Sequence, residues 1–126
     1  MITGNTASNQ LLGLDGDDTM TGGGANDTLT GGNGADHFVF VSAVSGIDTI
    51  TDFASGIDDL EFVGLLRSTF AYLGGDAFTG GGNTQARVVG NQVQLDFDGN
   101  SNLDLTITLT GLTDPADLNA LDFLFS

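Results

Sequence analysis

The stretch GLDGDDTMTGGGANDTLTGGNGADHFV, residues 13–39, consists of three nine-residue blocks laid end to end. Each block opens on glycine, has aspartate at its sixth position and has an apolar residue at its eighth. The aspartates are Asp18, Asp27 and Asp36. The apolar residues are Met20, Leu29 and Phe38. A repeat of this regularity is typical of a chain that winds into a coil of identical supersecondary units.

The nine-residue register continues in both directions in a weaker form. Residues 4–12 keep the leading glycine but have Asn9 in place of the aspartate. Residues 46–50 and 56–60 keep the glycine, an aspartate and the apolar residue, and their aspartates are Asp48 and Asp58. Because Gly-Asp pairs are also common in ordinary turns, these two partial blocks keep that alternative interpretation.

The block chemistry predicts a coil that winds around bound cations. Glycine accepts positive φ, so a glycine-rich loop can turn sharply and aim its carbonyls inward. Calcium binds oxygen ligands and accepts backbone carbonyls readily, and aspartate supplies the negative charge. Only the apolar residue of each short strand turns into the core. One turn of the coil is expected to take two blocks. The predicted ligand pairs are Asp18 with Asp36, Asp27 with Asp48, Asp36 with Asp58 and, more weakly, Asn9 with Asp27.

The charge of the chain excludes polyanionic partners. Among 126 residues, 17 are acidic and only Arg67 and Arg87 are basic, which gives a net charge of −15. That balance argues against nucleic acid and anionic membranes as partners. The hydrophobic fraction of 40% indicates a chain that folds. The absence of cysteine suits a secreted protein that is stabilised by metal instead of disulfides.

The remainder of the chain predicts further short strands. Residues 85–89, 92–97 and 103–110 alternate apolar and polar residues in the manner of strands, and Gly90-Asn91 marks a turn. Residues 64–84 are ambiguous. An aspartate followed by proline predicts a short helix over residues 115–121.

The segment DFDGNSNLD, residues 96–104, places oxygen-bearing side chains at every second position. That spacing resembles the first nine positions of an EF-hand loop. It departs from the loop at Ser101, where glycine is required, and at Ile107, where the bidentate glutamate would stand. Two interpretations stay open, a calcium site and a polar hairpin that joins two strands.

Taken together, these motifs resemble the C-terminal RTX calcium-binding domain of serralysin-type metalloproteases and of related type I secretion substrates. The resemblance covers most of the chain. It rests on the nonapeptides, on ADHFVF at residues 35–40, on DTITDF at residues 48–53 with GID at residues 56–58, and on DFLF at residues 122–125.

The resemblance implies an all-β fold. A right-handed parallel β-roll is expected over residues 1–62, followed by an antiparallel β-sandwich-like part with the secretion signal over residues 63–126, in one continuous domain. About three or four Ca2+ ions are expected, bound by carbonyl or side-chain oxygens. The ligands carried over from the family pattern are Asn5, Ala7, Asn9, Leu14, Gly16, Asp18, Gly22, Gly24, Asp27, Gly31, Asn33 and Asp36, and the partial blocks add Asp48 and Asp58. Leu14 and Ala25 stand where the motif has glycine.

The implied function is a calcium-driven folding and secretion module at the C-terminus of a larger bacterial exoprotein. The expected partners are a type I secretion apparatus and an N-terminal passenger domain, the expected location is extracellular, and the expected state is a monomer. Residues 122–125 are expected to matter for passage but little for calcium affinity. No catalysis is expected, because the HExxH signature is absent and His37 is the single histidine. The alternative is a polysaccharide-binding module like the repeat modules of alginate epimerases.

Overall fold

The chain folds into strands and tight turns, as seen in a computed structural model that describes residues 1–43, 45–112 and 114–126. The expected all-β class is confirmed. The strands are β1 (Ile2–Thr3), β2 (Gln10–Asp15), β3 (Thr19–Thr21), β4 (Thr28–Asn33), β5 (His37–Phe40), β6 (Ile47–Ile50), β7 (Asp59–Phe62), β8 (Phe70–Tyr72), β9 (Thr84–Val89), β10 (Gln92–Asp96), β11 (Leu105–Leu109) and β12 (Phe123–Phe125). Two 3-10 turns span Pro115–Asp117 and Ala120–Asp122.

Successive strands of the repeats alternate between two parallel sheets. One sheet has the order β1-β3-β5-β7, and the other has the order β2-β4-β6. Every pairing within these two groups is parallel. Two blocks therefore complete one turn, which is the coil of a parallel β-roll.

The turns of the coil lengthen along the chain. Asp18 and Asp36 are 18 residues apart, which is the length of two complete blocks. The next contacts join Asp27 to Asp48 over 21 residues and Asp36 to Asp58 over 22 residues. The partial blocks thus belong to the coil, and the additional three or four residues are absorbed between strands without a change of which face points inward.

The eighth residue of each block fills the space between the sheets. Met20, Leu29, Phe38, Ile50 and Leu60 are each 0% exposed. Burial of a side chain of this size contributes roughly 1.5–3 kcal/mol relative to exposure. The core of the roll is accordingly a single file of apolar residues, one for each half turn, between two thin sheets.

The C-terminal strands extend the two sheets of the roll. Strand β11 pairs in parallel with β6, while β10 and β9 follow it in antiparallel order and β8 closes that sheet. Strand β12 pairs in parallel with β7 and ends the other sheet. The expected antiparallel sandwich-like C-terminal part is not confirmed, because the C-terminal strands hydrogen-bond directly to strands of the repeats and continue their two sheets.

An aromatic cluster joins the end of the roll to the C-terminal strand. Phe62, which is 0% exposed, stacks on Phe40, Phe123 and Phe125 at centroid separations of 5.5, 6.3 and 5.3 Å. It also meets Phe97 edge to face at 5.7 Å. Offset and edge contacts of this kind are the favoured aromatic geometries. Phe123 is therefore part of the core, and Phe125 packs against it.

The strands predicted over residues 85–89, 92–97 and 103–110 are confirmed to within one or two residues as β9, β10 and β11. Strand β8 lies in the ambiguous segment and was not predicted. Its three residues are too few for a period to show, and it pairs with β9 in parallel across a loop.

The predicted helix over residues 115–121 is wrong in its length. Asp114 does cap a turn, since its side chain accepts the N–H of Ala116 at 2.9 Å. The turn ends at Leu118, which is extended and only 3% exposed, because its side chain enters the core. A second turn then starts at Asn119. No helix among the described residues has the length and apolarity of a membrane span.

Candidate metal centre

Two columns of loops form the two edges of the roll, and the predicted acidic residues stack within them. In each stacked contact, the backbone N–H of the upper residue donates to Oδ1 of the carboxylate one turn below. The contacts join Asp18 to Asp36 at 2.9 Å, Asp36 to Asp58 at 2.9 Å, Asn9 to Asp27 at 2.8 Å and Asp27 to Asp48 at 2.8 Å. The structure thus brings together all four pairs predicted from the complete and partial blocks.

The second oxygen of the central carboxylates has no donor. Oδ2 of Asp18, Asp27 and Asp36 is buried and lacks a hydrogen-bond partner. Asp27 and Asp36 are only 2% and 1% exposed. Leaving a buried acceptor unsatisfied costs about 1–3 kcal/mol, and more when it is charged. Buried oxygens of this kind, in register along both columns, indicate the place of a cation.

The upper loop of residues 13–18 turns two predicted carbonyls down towards the loop below it. A methyl group placed on Gly32 would overlap the carbonyl oxygen of Leu14. A methyl group on Gly34 would likewise overlap the carbonyl oxygen of Gly16. The two glycines therefore allow this close approach, and both adopt positive φ, 101° and 129°.

The lower loop of residues 31–36 turns its predicted carbonyls upward. The Gly31 oxygen lies against Gly13, where a methyl group would overlap it. The Asn33 carbonyl accepts the N–H of Gly16 at 2.8 Å. A carbonyl oxygen has a second lone pair, so that hydrogen bond leaves acceptor capacity. The carbonyls predicted for this loop pair consequently face one another between the two loops.

The first loop pair is arranged less favourably for a cation. Asn5 accepts the N–H of Gly24 on its carbonyl at 2.9 Å, and the Gly22 carbonyl faces the loop above. The Asn5 side chain accepts the N–H of Ala7 at 2.8 Å, and Oδ1 of Asn9 accepts the N–H of Asn5 at 2.8 Å. The side-chain amide oxygens of this loop thus accept hydrogen bonds from its own backbone, which agrees with the expectation of weaker cation binding here.

The two residues that replace motif glycines, Leu14 and Ala25, have strained backbone conformations. Leu14 and Ala25 adopt φ values of 84° and 67°, in the left-handed region. This conformation costs roughly 1–2 kcal/mol for a residue with a Cβ. The Leu14 side chain is 68% exposed, so burial of that side chain does not offset the cost. The loops therefore keep the geometry of the motif in spite of these two residues.

The side chain at the fifth position of a block ties stacked loops together, which the sequence analysis missed. Oδ1 of Asp17 accepts the N–H of Ala35 at 2.8 Å, and Oδ1 of Asn26 accepts the N–H of Ile47 at 2.9 Å. The fifth position differs from block to block, so the repeat gives no signal for this role. These hydrogen bonds align the stacked loops through protein groups alone.

Ser45 is a second residue that the sequence analysis missed. It lies three residues before Asp48, is 5% exposed, and its Oγ is buried without a hydrogen-bond partner. In the described part of the chain, Oγ of Ser45 and the three aspartate Oδ2 atoms are the buried side-chain oxygens in this condition. Serine is not part of the motif, so only the fold reveals it.

The donor chemistry of the loops suits calcium. The groups that border the gaps are carboxylate and backbone carbonyl oxygens, and hard cations prefer such ligands. Asp18 with Asp36, Asp27 with Asp48, and Asp36 with Asp58 would each hold an ion by one carboxylate from each loop. The unpartnered Oδ2 atoms are consistent with that arrangement.

Burial perturbs the lower carboxylates of the columns. Burial raises the pKa of Asp48 to about 6, with a smaller contribution from the charge of Asp27, against the opposing effect of the Asp27 N–H. Burial likewise raises the pKa of Asp58, and the N–H groups of Asp36 and Ala54 oppose that rise. Without a cation, burial shifts both carboxyl groups towards the protonated form.

A second acidic cluster lies in the turn after β10. Oxygens of Asp96, Asp98 and Asp104 lie within 4.8 Å of one another. Asp96 is 0% exposed, and its two oxygens accept the N–H groups of Gly99 at 2.8 Å and of Ser101 at 2.7 Å. The hairpin interpretation accounts for Asp96 through these bonds, and calcium in this turn stays a prediction.

Comparison with known families identifies the repeats. Residues 3–38 match the family model of the RTX calcium-binding nonapeptide repeat, in four copies. This segment carries RTX repeats. The resemblance drawn from the nonapeptides is thereby confirmed, and the RTX repeats supply the loops whose carboxylates stack in the structure.

Solved structures resemble the chain, one of them over nearly its whole length. It is the solution structure of the AlgE6R3 subunit from the Azotobacter vinelandii mannuronan C5-epimerase, which is 25% identical over 99% of this chain and 79% of that chain, with a TM-score of 0.57. No curated protein matches the chain significantly. The similarity in fold covers the C-terminal strands as well as the matched repeats.

The position of Asp36 predicts a large effect of its loss. Asp36 contacts both Asp18 above it and Asp58 below it, so Asp36→Ala should weaken two stacked sites. Asp59→Ala is the control, since that side chain is 28% exposed and faces His37 at 3.7 Å. Calorimetric calcium titration should show fewer ions bound by Asp36→Ala than by Asp59→Ala. Equal loss in the two variants would contradict the register.

A glycine substitution should damage the same loop without any change of charge. A methyl group on Gly31 would overlap Oδ2 of Asp36, whereas one on Gly75 would meet only the Val88 oxygen at 3.8 Å. Neither glycine has positive φ, so the pair is matched. Gly31→Ala should weaken calcium binding by about tenfold or more, as losses of supporting contacts in metal sites do. A Gly31→Ala titration identical to that of Gly75→Ala would contradict the ligand role of Asp36.

Calcium affinity should fall with acidification. The proton on Asp48 must leave before calcium binds, and its pKa is about 6. The apparent Kd of that site should therefore rise about tenfold for each pH unit below this pKa. Calorimetry at pH 5 and pH 7 measures the change. A Kd that is independent of pH over this range would show that Asp48 does not bind the ion.

The same shift has an opposite effect on the calcium-free chain. The pKa of Asp48 is raised from 3.8 to about 6 in the folded chain. Protonated Asp48 therefore stabilises the folded chain, and this stabilisation is complete below pH 3.8. That contribution is lost as pH rises through the upper value. The chelated chain should thus be more folded at pH 5 than at pH 7, which circular dichroism can record.

Proposed function

We propose that this chain is a calcium-driven folding and secretion module at the C-terminus of a larger bacterial exoprotein. The observation that carries the proposal is the set of buried Oδ2 atoms without a hydrogen-bond partner, in Asp18, Asp27 and Asp36. They stand in a chain of net charge −15 whose matched family is a calcium-binding repeat. Calcium binding follows from these facts, and the role in secretion is the further step.

Calcium acts as a folding ligand in this proposal. An ion that binds only the folded chain adds RT ln(1 + [L]/Kd), about 2.7 kcal/mol for each site at a hundredfold excess. Three such sites would supply about 8 kcal/mol, comparable to the typical 5–15 kcal/mol stability of a domain. Without the ion, the carboxylates of each column repel one another, and the chain does not close into a roll.

The calcium gradient across the cell envelope would set the time of folding. Extracellular calcium modules typically have Kd values of about 10⁻⁴–10⁻³ M, far above free cytosolic calcium. The sites would be empty inside the cell, so the chain would stay extended enough to pass a type I exporter. Outside, the filled roll would serve as a folding nucleus for an N-terminal passenger domain. We propose that the module is extracellular and monomeric.

Any catalytic activity is proposed to belong to a passenger domain and not to this chain. The repeats carry no HExxH signature, and His37 pairs with Asp59 at 3.7 Å. We propose that catalysis belongs to the parent protein, for example a secreted hydrolase such as a metalloprotease. Binding of a polysaccharide is not favoured. Of the two arginines, Arg87 is engaged by Gln94 at 2.9 Å and by the ring of Phe78 at 4.7 Å.

The proposal predicts that calcium folds the chain. Circular dichroism of the chelated chain at pH 7 should show mostly unfolded polypeptide, and millimolar calcium should produce a β-spectrum. Magnesium is the matched control, because it demands tight octahedral geometry and retains its waters, so it should not replace calcium at these loops. Sodium chloride controls for screening of the net charge. Identical β-spectra with chelator and with calcium would overturn the proposal.

The secretion role predicts a separate effect of the C-terminal residues. In a bacterium with a type I exporter, deletion of residues 122–125 should remove the protein from the culture supernatant. Phe62→Ala is the control, since it damages the aromatic cluster but leaves the C-terminal sequence intact. It should lower the folded fraction outside the cell and not the amount exported. Undiminished export of the deleted chain would leave only the calcium module.

A further inference from the structure

Asp122, in the C-terminal segment, is a buried carboxylate whose partners lie far away in sequence. It is 1% exposed. Its Oδ1 accepts the N–H of Gly56 at 3.0 Å, and its Oδ2 accepts the hydroxyl of Ser55 at 2.8 Å. The N–H of Asn119 completes the set at 2.9 Å. Three hydrogen bonds to one buried carboxylate make a strong anchor, since bonds to charged groups are the stronger ones.

The partners of Asp122 belong to the loop that carries the last carboxylate of its column. Ser55 and Gly56 lie just before Asp58, which is 4% exposed. Oδ2 of Asp58 accepts the N–H of Ala54 at 2.9 Å. Its Oδ1 accepts the N–H of Asp36 at 2.9 Å. The loop is therefore held from above by Asp36 and from the other side by Asp122.

The residues after Asp122 lie against the strand that follows this loop. Strand β12 pairs with β7, with Phe123 beside Leu60 and Phe125 beside Phe62. The carbonyl oxygen of Asp117 lies 2.7 Å from the same Ser55 hydroxyl, so it shares the single hydroxyl proton with Asp122 Oδ2 and brings the preceding turn to the same point. The C-terminal segment is thus docked by an apolar strand and by one polar anchor at the calcium loop.

We propose that Asp122 positions the Asp58 loop for calcium, so that docking of the C-terminal segment and occupancy of the Asp36–Asp58 site are coupled. The proposal rests on the proposed calcium function. By thermodynamic linkage, the factor by which docking strengthens calcium binding equals the factor by which calcium strengthens docking. Under this proposal residues 122–125 affect calcium affinity, which departs from the sequence-based expectation that they matter little for it.

The coupling gives the C-terminal segment two states. Without calcium the roll does not close, so residues 119–126 have no sheet to dock on. In calcium the loop closes on Asp122, and the segment is locked into the sheet as β12. An export signal located there is accessible before passage and masked after it, which makes passage directional.

The test compares two matched variants of the full chain, Asp122→Asn and Asp117→Asn. Each removes one negative charge from a 3-10 turn near the C-terminus, but the hydrogen bond of Asp117 to the loop is made by its backbone carbonyl and not by its carboxylate. Calcium titration is followed by calorimetry, and hydrogen exchange of residues 119–126 is followed by mass spectrometry with calcium and with chelator. Ser55→Ala, which removes one donor to Asp122, serves if Asp122→Asn does not fold.

In Asp122→Asn we expect one calcium step to weaken by about tenfold and the others to be unchanged. The C-terminal segment should then exchange rapidly even in calcium. Asp117→Asn should match the unaltered chain in both readouts. Identical titrations for the two variants, or a segment equally protected with calcium and with chelator while calcium still binds, would overturn the coupling. If the unaltered chain binds no calcium, the proposed function itself fails, which is a separate result.

Discussion

The stacked carboxylates at the edges of the roll are the constraint on which the rest of the structure depends. Neighbouring strands of a sheet are about 4.8 Å apart, so carboxylates one turn apart are brought to roughly that distance. Two charges at that separation repel by about 3–4 kcal/mol at an effective dielectric of about 20. Asp18, Asp27 and Asp36 are held in this geometry with one buried oxygen each that no protein group satisfies. A divalent cation between loops reverses the sign of this interaction.

Other features of the chain follow from that constraint. The first glycine of a block must lack a side chain, because a methyl group on Gly31 would occupy the space of the Asp36 carboxylate oxygen. Leu14 and Ala25 accept left-handed backbone so that the loop keeps its shape. The core between the sheets is narrow, one apolar residue for each half turn, and it is strengthened by the aromatic cluster around Phe62. Metal binding and apolar burial are thus complementary sources of stability.

The repeat predicts what is periodic and misses what is not. The nine-residue spacing was sufficient to pair Asp18 with Asp36. Asp48 was identified as the partner of Asp27 from the Gly-x-Asp pattern of its partial block, because 21 residues separate the two and not 18. The same spacing contains no information about Asp122, whose partners Ser55 and Gly56 are 67 and 66 residues away. The pairing of β12 with the roll could not be predicted either, since DFLF lies outside the repeat. Its position depends on pairing with β7 and on the contact of Phe125 with Phe62. Ser45 is not part of the repeat motif, so its buried hydroxyl beside the loops could be found only from the fold.

The most direct test of the account is a crystal structure of the chain grown in calcium, with ions located from their anomalous scattering. The account predicts peaks between the stacked loops, each bound by one carboxylate from each loop: Asp18 with Asp36, Asp27 with Asp48, and Asp36 with Asp58. Strong peaks elsewhere, with the spaces between these carboxylates empty of calcium, would contradict the claim that the cation holds the roll together.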